Sequence, residues 1–309
     1  MGLRARPVAV GLIAGALADA AFGDPRRGHP VALFGQAASR LEGAMYRDSR
    51  QAGVGYVAAC VGGAVASGVV IERVATRPGV RTVAVAAATW AVLGGTSLRR
   101  EAGAVHAHLQ SGDLPTARVR VRSLVGRDTR NADESEVARA AVESVAENTS
   151  DAVVAPLLWG AIAGVPGLLG YRAVNTLDAM VGHHSPRYER FGWAAARLDD
   201  LANLLPARLT ALLTALVGGR PHEVGAIVRR DARTHPSPNA GWCEAAFAGA
   251  LEVRLGGTNV YDGRVEHRPV MGDGKPPMAA DVSRANALAR RVGIAAVAVS
   301  AVVALRRRG

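Results

Sequence analysis

The 309-residue sequence has few cysteines, few aromatic residues and almost no lysine, and these shortages limit what the protein can be. Two cysteines, Cys60 and Cys243, are too few for a disulfide scaffold or for a zinc site built from cysteines. Aromatic residues make up only 4% of the chain, so the cations lack the interleaved rings of a base-stacking surface. The formal net charge of +11 therefore does not predict nucleic-acid binding. Lys275 is the only lysine, which is typical of biased codon usage and marks no single arginine as functional.

The sequence also has no standard motif for nucleotide or hydrolytic chemistry. It contains no G-x-x-x-x-G-K-[ST] phosphate loop, no kinase-like motif set, no H-E-x-x-H and no G-x-S-x-G. Any nucleotide that the protein uses must therefore bind at another kind of site.

Long apolar segments are what the sequence has instead, with 49% hydrophobic residues and 36 glycines. A membrane-spanning helix needs about 17 to 25 predominantly apolar residues, and glycine and alanine let such helices approach closely. The sequence predicts an all-α fold, a polytopic integral membrane helical bundle with polar helical loops, as a single domain over residues 1–309. The apolar segments lie at about residues 7–22, 51–71, 82–98, 152–171, 201–218 and 288–305. Buried helices of a large soluble bundle are the alternative interpretation.

The segments differ in how simply they can cross a bilayer. Pro156 and Pro166 make the fourth a candidate for a segment that dips in and returns. The first imitates a secretory signal that ends at Ala18-Asp19-Ala20. If all six cross, the loops 23–50, 99–151 and 219–289 share one side, and their arginines place that side in the cytoplasm. The arginines at 306–308 disagree with this orientation.

An acidic helix precedes the fourth segment. Residues 133–151 suit a helix in which Glu143, Glu147 and Asp151 recur every fourth position, so their carboxylates should share one face. A magnesium ion that bridges these carboxylates to a phosphate would relieve their repulsion next to an apolar run. A solvated acidic helix end is the equally weighted alternative.

A second acidic set lies at Asp199, Asp200 and Asn203, where Asp199 and Asn203 share a helical face. The two aspartates could simply begin a helix, since carboxylates favour its positive end. Arg208, deeper in the apolar stretch, needs a partner, and these acids are the nearest in sequence.

Two further stretches place polar groups at turns. Gly23-Asp24-Pro25, followed by His29, would set a carboxylate and an imidazole at the mouth of the first segment, although turn chemistry alone also explains them. After His235, a small-residue helix should begin with Ser237 or Asn239 as its N-cap and offer its N-terminus to an anion. The pair Gly256-Gly257 should end that helix.

Taken together, these stretches resemble the CobD/CbiB family of cobalamin biosynthesis, the membrane-bound adenosylcobinamide-phosphate synthases. The match covers about residues 15–287 in the family's order, although His183-His184 departs from it. The matching blocks are Ala18-Asp19, Gly23-Asp24-Pro25, His29-Pro30-Val31, Val125-Gly126-Arg127-Asp128-Thr129, Glu143 through Thr149 with Asp151, Ala155-Pro156-Leu157, Ala173 through Gly182, Ala196 through Asp200, Asn203, Pro206-Ala207-Arg208-Leu209, Arg230-Asp231, His235, Ser237-Pro238-Asn239, Glu244-Ala245, Ala248 through Leu251, Leu255-Gly256-Gly257 and Gly272-Asp273.

The resemblance implies an ATP-dependent ligase that joins a propionate carboxylate of adenosylcobyric acid to the amine of aminopropanol or its phosphate. A carboxylate is a poor acylating agent, so an acyl phosphate is the expected intermediate. ATP is then a co-substrate, Mg²⁺ the cofactor, and the cell membrane the location, with the active-site loops in the cytoplasm and other corrinoid-pathway enzymes as partners.

The resemblance also implies roles for particular residues. The catalytic candidates are Asp24, His29, Glu143 and Glu147, with His235 as a reserve base. The candidates for substrate and phosphate binding are Arg127, Asn148, Asn175, Asp178, Arg208, Arg230, His235 and Asn239. The candidate metal ligands are Glu143, Glu147, Asp151, Asp199 and Asp200.

Two other functions fit parts of the pattern. Paired acidic clusters at membrane depth also describe a magnesium-dependent transferase of a diphosphate-linked substrate, which would not need ATP. A corrinoid or cobalt transport subunit would use Asp19 and Arg208 to line a pathway, but inspection reveals no internal symmetry of the kind transporters show.

Overall fold

The computed structural model describes residues 5–24, 28–261 and 264–306, and these residues confirm the all-α class. Pro25, Arg307 and Arg308 lie outside the described residues. The helices are α1 (Ala5–Phe22), α2 (Pro30–Met45), α3 (Arg50–Val74), α4 (Pro78–Val92), α5 (Gly95–Gln110), α6 (Leu114–Val121), α7 (Glu134–Thr149), α8 (Ala155–Leu177), α9 (Trp193–Ala202), α10 (Leu204–Val217), α11 (Pro221–Asp231), α12 (Ala240–Leu251) and α13 (Ala279–Arg306). Within the described ranges the sheet has two antiparallel strands, β1 (Leu255–Tyr261) and β2 (Arg264–Met271), which form a hairpin.

The chain divides into two compact units that alternate along the sequence. The first unit comprises Met1–Gly94, Asp151–Asn203 and Ala296–Gly309. The second comprises Gly95–Ser150 and Leu204–Ala295. Each unit is therefore assembled from stretches that are distant in sequence.

Several helices have the length and composition of membrane spans. Within the described residues these are α3, the stretch Glu134–Gly182 and α13, and the bent pair α9–α10, with its 43° break, makes a fourth if it counts as one span. The predicted segments at 51–71, 152–171 and 288–305 fall inside the first three, and the segment at 201–218 falls largely on the bent pair. The segment at 7–22 is α1, a helix of 18 residues.

The prediction of one helix over 82–98 is wrong. Helix α4 ends at Val92, because Leu93 has an extended backbone (φ −72°, ψ 148°), and α5 begins at Gly95. The Gly94 amide in the break donates to the Ala152 carbonyl at 3.1 Å. The apolar run is thus divided between two helices that belong to different units.

Small residues allow close helix packing in the first unit. A Cβ added to Gly15 in α1 would lie 2.4 Å from Thr89 Cβ in α4, and one added to Gly68 in α3 would lie 2.6 Å from Pro166 Cα in α8. No real Cβ fits at such distances, so glycine is required for these helix contacts, as expected for packing in lipid. An aromatic cluster of Tyr46, Tyr56 and Phe191 fills another part of this unit.

Helix α8 is interrupted near Pro166, while the expectation that this segment dips into the bilayer and returns stays a prediction. Gly164 has φ 67° and ψ −145°, two residues before Pro166. The Val165 amide, which cannot bond along the helix there, donates to Glu72 Oε1 of α3 at 3.1 Å. Glu72 also pairs with Arg81 at 2.7 Å, so a buried break in a span is satisfied by a neighbouring carboxylate.

The second unit packs α10 and α11 on α12, which has five alanines among its twelve residues. Its core includes Val224, Val228, Ala245 and Met271. The prediction that Gly256-Gly257 ends α12 is wrong, because the helix stops at Leu251 and its C-cap is Glu252 in the left-handed conformation (φ 58°). The glycine pair instead begins β1, where the register between the strands shifts.

Candidate functional site

A buried ion pair lies at the centre of the second unit. Helix α7 begins with a capping box between Asp133 and Glu136, and Glu143 lies two and a half turns later on its buried face. Arg127 Nη2 lies 2.7 Å from Glu143 Oε2, and both side chains are less than 10% exposed. The Gly256 amide donates to the other oxygen, Oε1, at 2.7 Å. Both oxygens of Glu143 are therefore already engaged within the protein.

Gly256 can approach Glu143 only because it has no side chain. Its φ is 83°, and an added Cβ would lie 2.0 Å from the Pro269 carbonyl oxygen. Arg139 of α7 donates to the Gly256 carbonyl and, at 2.8 Å, to that of Thr258. The start of β1 is thus bound to α7 through main-chain groups.

A second buried pair, His235 and Glu244, lies in the same unit. His235 Nε2 is 3.7 Å from Glu244 Oε1, and the side chains are 4% and 3% exposed. His235 Nδ1 lies 3.0 Å from the Ser237 amide nitrogen and 3.4 Å from the Ser237 carbonyl oxygen. The backbone can therefore accept either tautomer of the imidazole.

Burial changes the titration of both members of this pair. Burial is the main reason that the pKa of Glu244 lies well above its ordinary value, and the charges of Glu143 and Glu147 add to the rise. Burial, followed by the charge of Arg268, lowers the pKa of His235. The uncharged forms of both groups are thus favoured at neutral pH.

His235 also forms part of the wall of a cavity of about 540 Å³, which we call the arginine cavity. Its lining consists of Arg208, Ala232, Arg233, His235, Pro236, Ser237, Pro238 and Trp242. Arg208 Nη1 donates to Asn239 Oδ1 at 2.7 Å, and its guanidinium lies 4.6 Å from the centre of the Trp242 ring. The expectation that Arg208 pairs with Asp199 or Asp200 is wrong, since its side-chain partners are an amide and an indole.

The amides at the N-terminus of α12 are capped by a side chain of the preceding loop. Ser237 Oγ accepts hydrogen bonds from the amides of Asn239 and Ala240 at 3.3 and 3.1 Å. Of the two predicted caps, the Ser237 side chain performs this role, while Asn239 binds Arg208. Amides that are already hydrogen-bonded are poor ligands for an anion. An anion at this end of α12 would therefore bind to the arginines of the cavity rather than to the helix amides.

Arg230 lies in an exposed network of its own. It contacts Asp231 at 2.6 Å and Asp273 at 2.9 Å, and Asp231 also accepts from the Gly272 amide at 2.9 Å. The bonds from Arg230, and then the Gly272 amide, lower the pKa of Asp231. The predicted phosphate-binding residue is therefore held by two carboxylates.

The first unit contains the predicted Asp24–His29 pair. His29 Nε2 lies 3.9 Å from Asp24 Oδ1, and both side chains are partly exposed. His29 Nδ1 accepts a hydrogen bond from the Val31 amide at 3.1 Å and so caps α2. The structure brings the two residues together, and it gives His29 a structural task that turn chemistry alone would explain.

A second polar group of the first unit surrounds Asp199. Asn203 donates to Asp199 Oδ2 at 2.9 Å, and the Tyr171 hydroxyl donates to Asn203 Oδ1 at 2.9 Å. Asn175 and Asp178 lie close enough to interact with the same carboxylate. Asp199 Oδ1 is buried and has no hydrogen-bond partner in the part of the chain that the structure describes. Asp200 instead faces Arg197 at 3.3 Å.

The predicted metal ligands are distributed over both units. Glu143 and Glu147 belong to the second unit, whereas Asp151, Asp199 and Asp200 belong to the first. Glu143 is buried and Glu147 exposed, and a π-helical turn, Ser150–Val154, interrupts the four-residue repeat before Asp151. Among the described residues no three His, Cys, Asp or Glu side chains form a metal-binding group, so this ligand set stays a prediction.

Sequence reasoning gave no role to three residues of this site, although Glu244 lies in one of the blocks that match the family. Glu244 is the only charged residue of α12, and that isolation in an apolar helix was the available signal. Arg233 and Trp242 carry no such signal, because only the fold brings them to the wall that contains Arg208. Asn148, which was predicted to bind substrate, donates to the Ser144 carbonyl of its own helix at 3.0 Å.

Comparison with known proteins identifies relatives over the whole chain. The family model described as CobD/Cbib protein matches residues 12–289. "Cobalamin biosynthesis protein CobD" of Mycobacterium tuberculosis (strain ATCC 25618 / H37Rv) is 52% identical over 304 residues, which cover 97% of each chain. The proteins of the same name from Rhodobacter capsulatus and Geobacter metallireducens are 46% and 47% identical, over 88% and 87% of this chain and 90% and 87% of theirs. No solved structure matches the chain.

Proposed function

The chain belongs to the CobD/CbiB family of cobalamin biosynthesis proteins, and from this premise we propose that it is an ATP-dependent amide ligase. The proposed reaction joins a propionate carboxylate of adenosylcobyric acid to the amine of aminopropanol phosphate or of aminopropanol. The observation that carries the proposal is the position of His235, which lines the arginine cavity and contacts the buried Glu244. An imidazole and two guanidinium groups thus line one cavity, which supports the proposal.

The proposed chemistry has two steps. The substrate carboxylate attacks the terminal phosphorus of ATP, a P–O bond to ADP breaks, and an acyl phosphate forms. The amine nitrogen then attacks the acyl carbon, the C–O bond to phosphate breaks, and the amine loses one proton. The products are the amide, ADP and phosphate, so the atoms and charges balance.

His235 is the proposed acceptor of the amine proton. In the neutral form that carries its hydrogen on Nδ1, the Ser237 carbonyl can accept that hydrogen and Nε2 is left with a lone pair. When Nε2 gains the proton, the new imidazolium lies 3.7 Å from Glu244 Oε1, and a carboxyl oxygen can accept a hydrogen bond from it even while the carboxyl stays protonated.

Asp199 is the residue that best fits a Mg²⁺ ligand. Its Oδ1 is buried and has no hydrogen-bond partner among the described residues, and Asp178 is close to it. Glu143 fits poorly, because both of its oxygens are engaged by Arg127 and Gly256. Mg²⁺ is usually bound by one or two protein carboxylates together with phosphate oxygens, and it neutralises phosphate charge there.

The test is amide formation by the purified protein in detergent or nanodiscs. Adenosylcobyric acid, ATP, Mg²⁺ and either amine are supplied, and the amide and ADP are measured together. We expect one ADP per amide and a 10²- to 10⁴-fold lower kcat for His235→Ala, as for the loss of a general base. His222→Ala, which replaces an exposed histidine of α11, should retain the full rate.

Two outcomes would contradict this proposal. A full rate in His235→Ala would remove the histidine from the mechanism. Absence of the amide with every substrate present would reject the ligase itself. Turnover of a diphosphate-linked donor without ATP would then favour the transferase, and corrinoid or cobalt uptake into proteoliposomes would favour the transport subunit.

A further inference from the structure

We propose that the arginine cavity is the site that binds the phosphate group of a phosphorylated substrate, with Arg208 and Arg233 as its ligands. This inference rests on the proposed function, which supplies two such substrates, aminopropanol phosphate and ATP. It adds Arg233 and Trp242 to the site, residues that no sequence motif indicated.

The charge of the cavity is the first argument. Arg208 and Arg233 line the same cavity, so two positive charges share one wall. The cavity has no carboxylate in its described lining. Two like charges at one wall destabilise each other unless an anion or solvent lies between them. A phosphate dianion matches this charge and accepts the several hydrogen bonds that two guanidinium groups offer.

The second argument is the fixed orientation of Arg208. Its guanidinium is held by Asn239 Oδ1 at 2.7 Å and by the face of Trp242 at 4.6 Å, both of them uncharged groups. These contacts orient the guanidinium and leave its charge uncompensated. Arg233 is exposed and forms no ion pair within the part of the chain that is described. An arginine that serves only stability would more commonly have a carboxylate partner, as Arg127 does.

The third argument is the size and composition of the cavity. A volume of about 540 Å³ lies within the range of about 300 to 1,000 Å³ that is typical of small-molecule sites. Pro236, Pro238 and Trp242 supply apolar surface for the part of the ligand that carries no phosphate. His235 lies in the same wall, so a bound phosphate would be near the proposed base.

The test is direct binding to the full-length protein in detergent, measured by calorimetry without adenosylcobyric acid. The ligands are aminopropanol phosphate, a non-hydrolysable ATP analogue with Mg²⁺, and aminopropanol as the ligand without phosphate. Arg208→Gln and Arg233→Gln should each raise the Kd of a phosphorylated ligand at least tenfold, since each removes a charge-assisted hydrogen bond. Arg229→Gln removes an equal charge from an exposed position of α11 and should leave the Kd unchanged.

The two phosphorylated ligands identify the occupant. If the arginine substitutions weaken the binding of aminopropanol phosphate alone, the cavity binds the amine substrate. If they weaken the binding of the ATP analogue alone, the cavity binds the nucleotide. Either result supports the site. Arg233 is exposed, so its variant should fold even if Arg208→Gln does not.

The site and the proposed function can fail separately. If wild-type protein binds a phosphorylated ligand through both arginines but forms no amide, the ligase proposal fails and the phosphate site remains. If wild-type protein forms the amide while Arg233→Gln binds both phosphorylated ligands as tightly as wild type, the phosphate site is overturned and the ligase proposal remains.

Discussion

Glu143 shows how one buried carboxylate connects three parts of the second unit. It pairs with Arg127 from the preceding loop and accepts a hydrogen bond from Gly256 at the start of β1. Glu143→Ala would leave the Arg127 guanidinium buried without its counter-ion, and removal of one partner of such a pair costs about 3–5 kcal/mol. We expect a loss of this size in the free energy of unfolding, measured by denaturant titration in detergent.

Two variants provide the controls for Glu143. Glu223→Gln changes an exposed carboxylate that lies 3.8 Å from Arg220, and it should change stability by less than about 1 kcal/mol. Combining Glu143→Leu with Arg127→Met removes both charges and should recover much of the loss. If the double variant were no more stable than Glu143→Ala, the buried charge would not be the cause.

Glu244 gives the protein a stability that depends on pH. Burial raises the pKa of this carboxyl, so the folded state retains a proton that the unfolded state releases. This contribution is complete below the ordinary pKa of glutamate and is lost as the pH rises through the raised pKa of the folded state. Glu244→Gln keeps the shape without the charge, so it should stabilise the protein at pH 8 relative to wild type and flatten the alkaline decline.

The contribution of His235 to stability depends on pH in the opposite direction. Because burial lowers its pKa, its contribution is present above the ordinary histidine range and is lost as the pH falls through the lowered value. Melting temperatures of wild type, His235→Gln, Glu244→Gln and Glu252→Gln between pH 5 and pH 9 check both signs, with Glu252 as the exposed control. An alkaline decline that persists in Glu244→Gln would contradict the assignment.

At the scale of elements, the break in α8 depends on one glycine. Gly164→Ala would place a side chain at φ 67° and ψ −145°, and its Cβ would lie 2.0 Å from Glu72 Oε1. Backbone strain of this kind costs about 1–3 kcal/mol before the clash is added. We expect the variant to be destabilised by at least that amount in thermal unfolding, whereas Gly62→Ala in α3, where an added Cβ meets open space, should be neutral or slightly stabilising. Equal melting temperatures for the two variants would show that the break is not strained.

The sequence predicted elements better than it predicted their ends and neighbours. Helix α7 and the interruption of α8 followed from carboxylate spacing and from Pro166, which are local signals. The division of the 82–98 run at Leu93 has no such signal, because the Gly94 amide bonds to Ala152, far away in the chain. The spacing of Glu143 and Glu147 could not reveal that one is buried and the other exposed, since burial depends on what packs against the helix. Tertiary contacts alone brought Arg233 and Trp242 to Arg208.

At the scale of the whole molecule, the spans predict firm attachment to lipid. Helices α3 and α13 and the stretch Glu134–Gly182 are long and apolar enough to cross a bilayer, and they would be held by hydrophobic burial rather than by charges that salt screens. We expect the protein to stay in the membrane pellet after washes with high salt and with carbonate. A peripheral protein of known behaviour should appear in the supernatant of the same wash, and recovery of this protein there would reject the bilayer interpretation.

The sidedness of the acidic helix is a separate prediction. ATP is cytoplasmic, so an ATP-dependent ligase should expose the first turn of α7, which contains Ser135, to the cytoplasm, and this agrees with the arginine content of the loops. Ser135→Cys, in a background without Cys60 and Cys243, should resist a membrane-impermeant thiol reagent in intact cells and react after permeabilisation. Labelling of intact cells would place α7 outside and would count heavily against the ligase.

The alternation of the two units along the chain determines the order in which they can be completed during synthesis. The second unit cannot be complete until Leu204–Ala295 has been synthesised, long after residues 95–150. The first unit likewise includes Ala296–Gly309. Glu143 and Arg127 thus emerge from the ribosome more than a hundred residues before Gly256, which donates to the same carboxylate. The hydrogen bond from Gly256 to Glu143 can therefore form only late in synthesis, long after both members of the ion pair have been made.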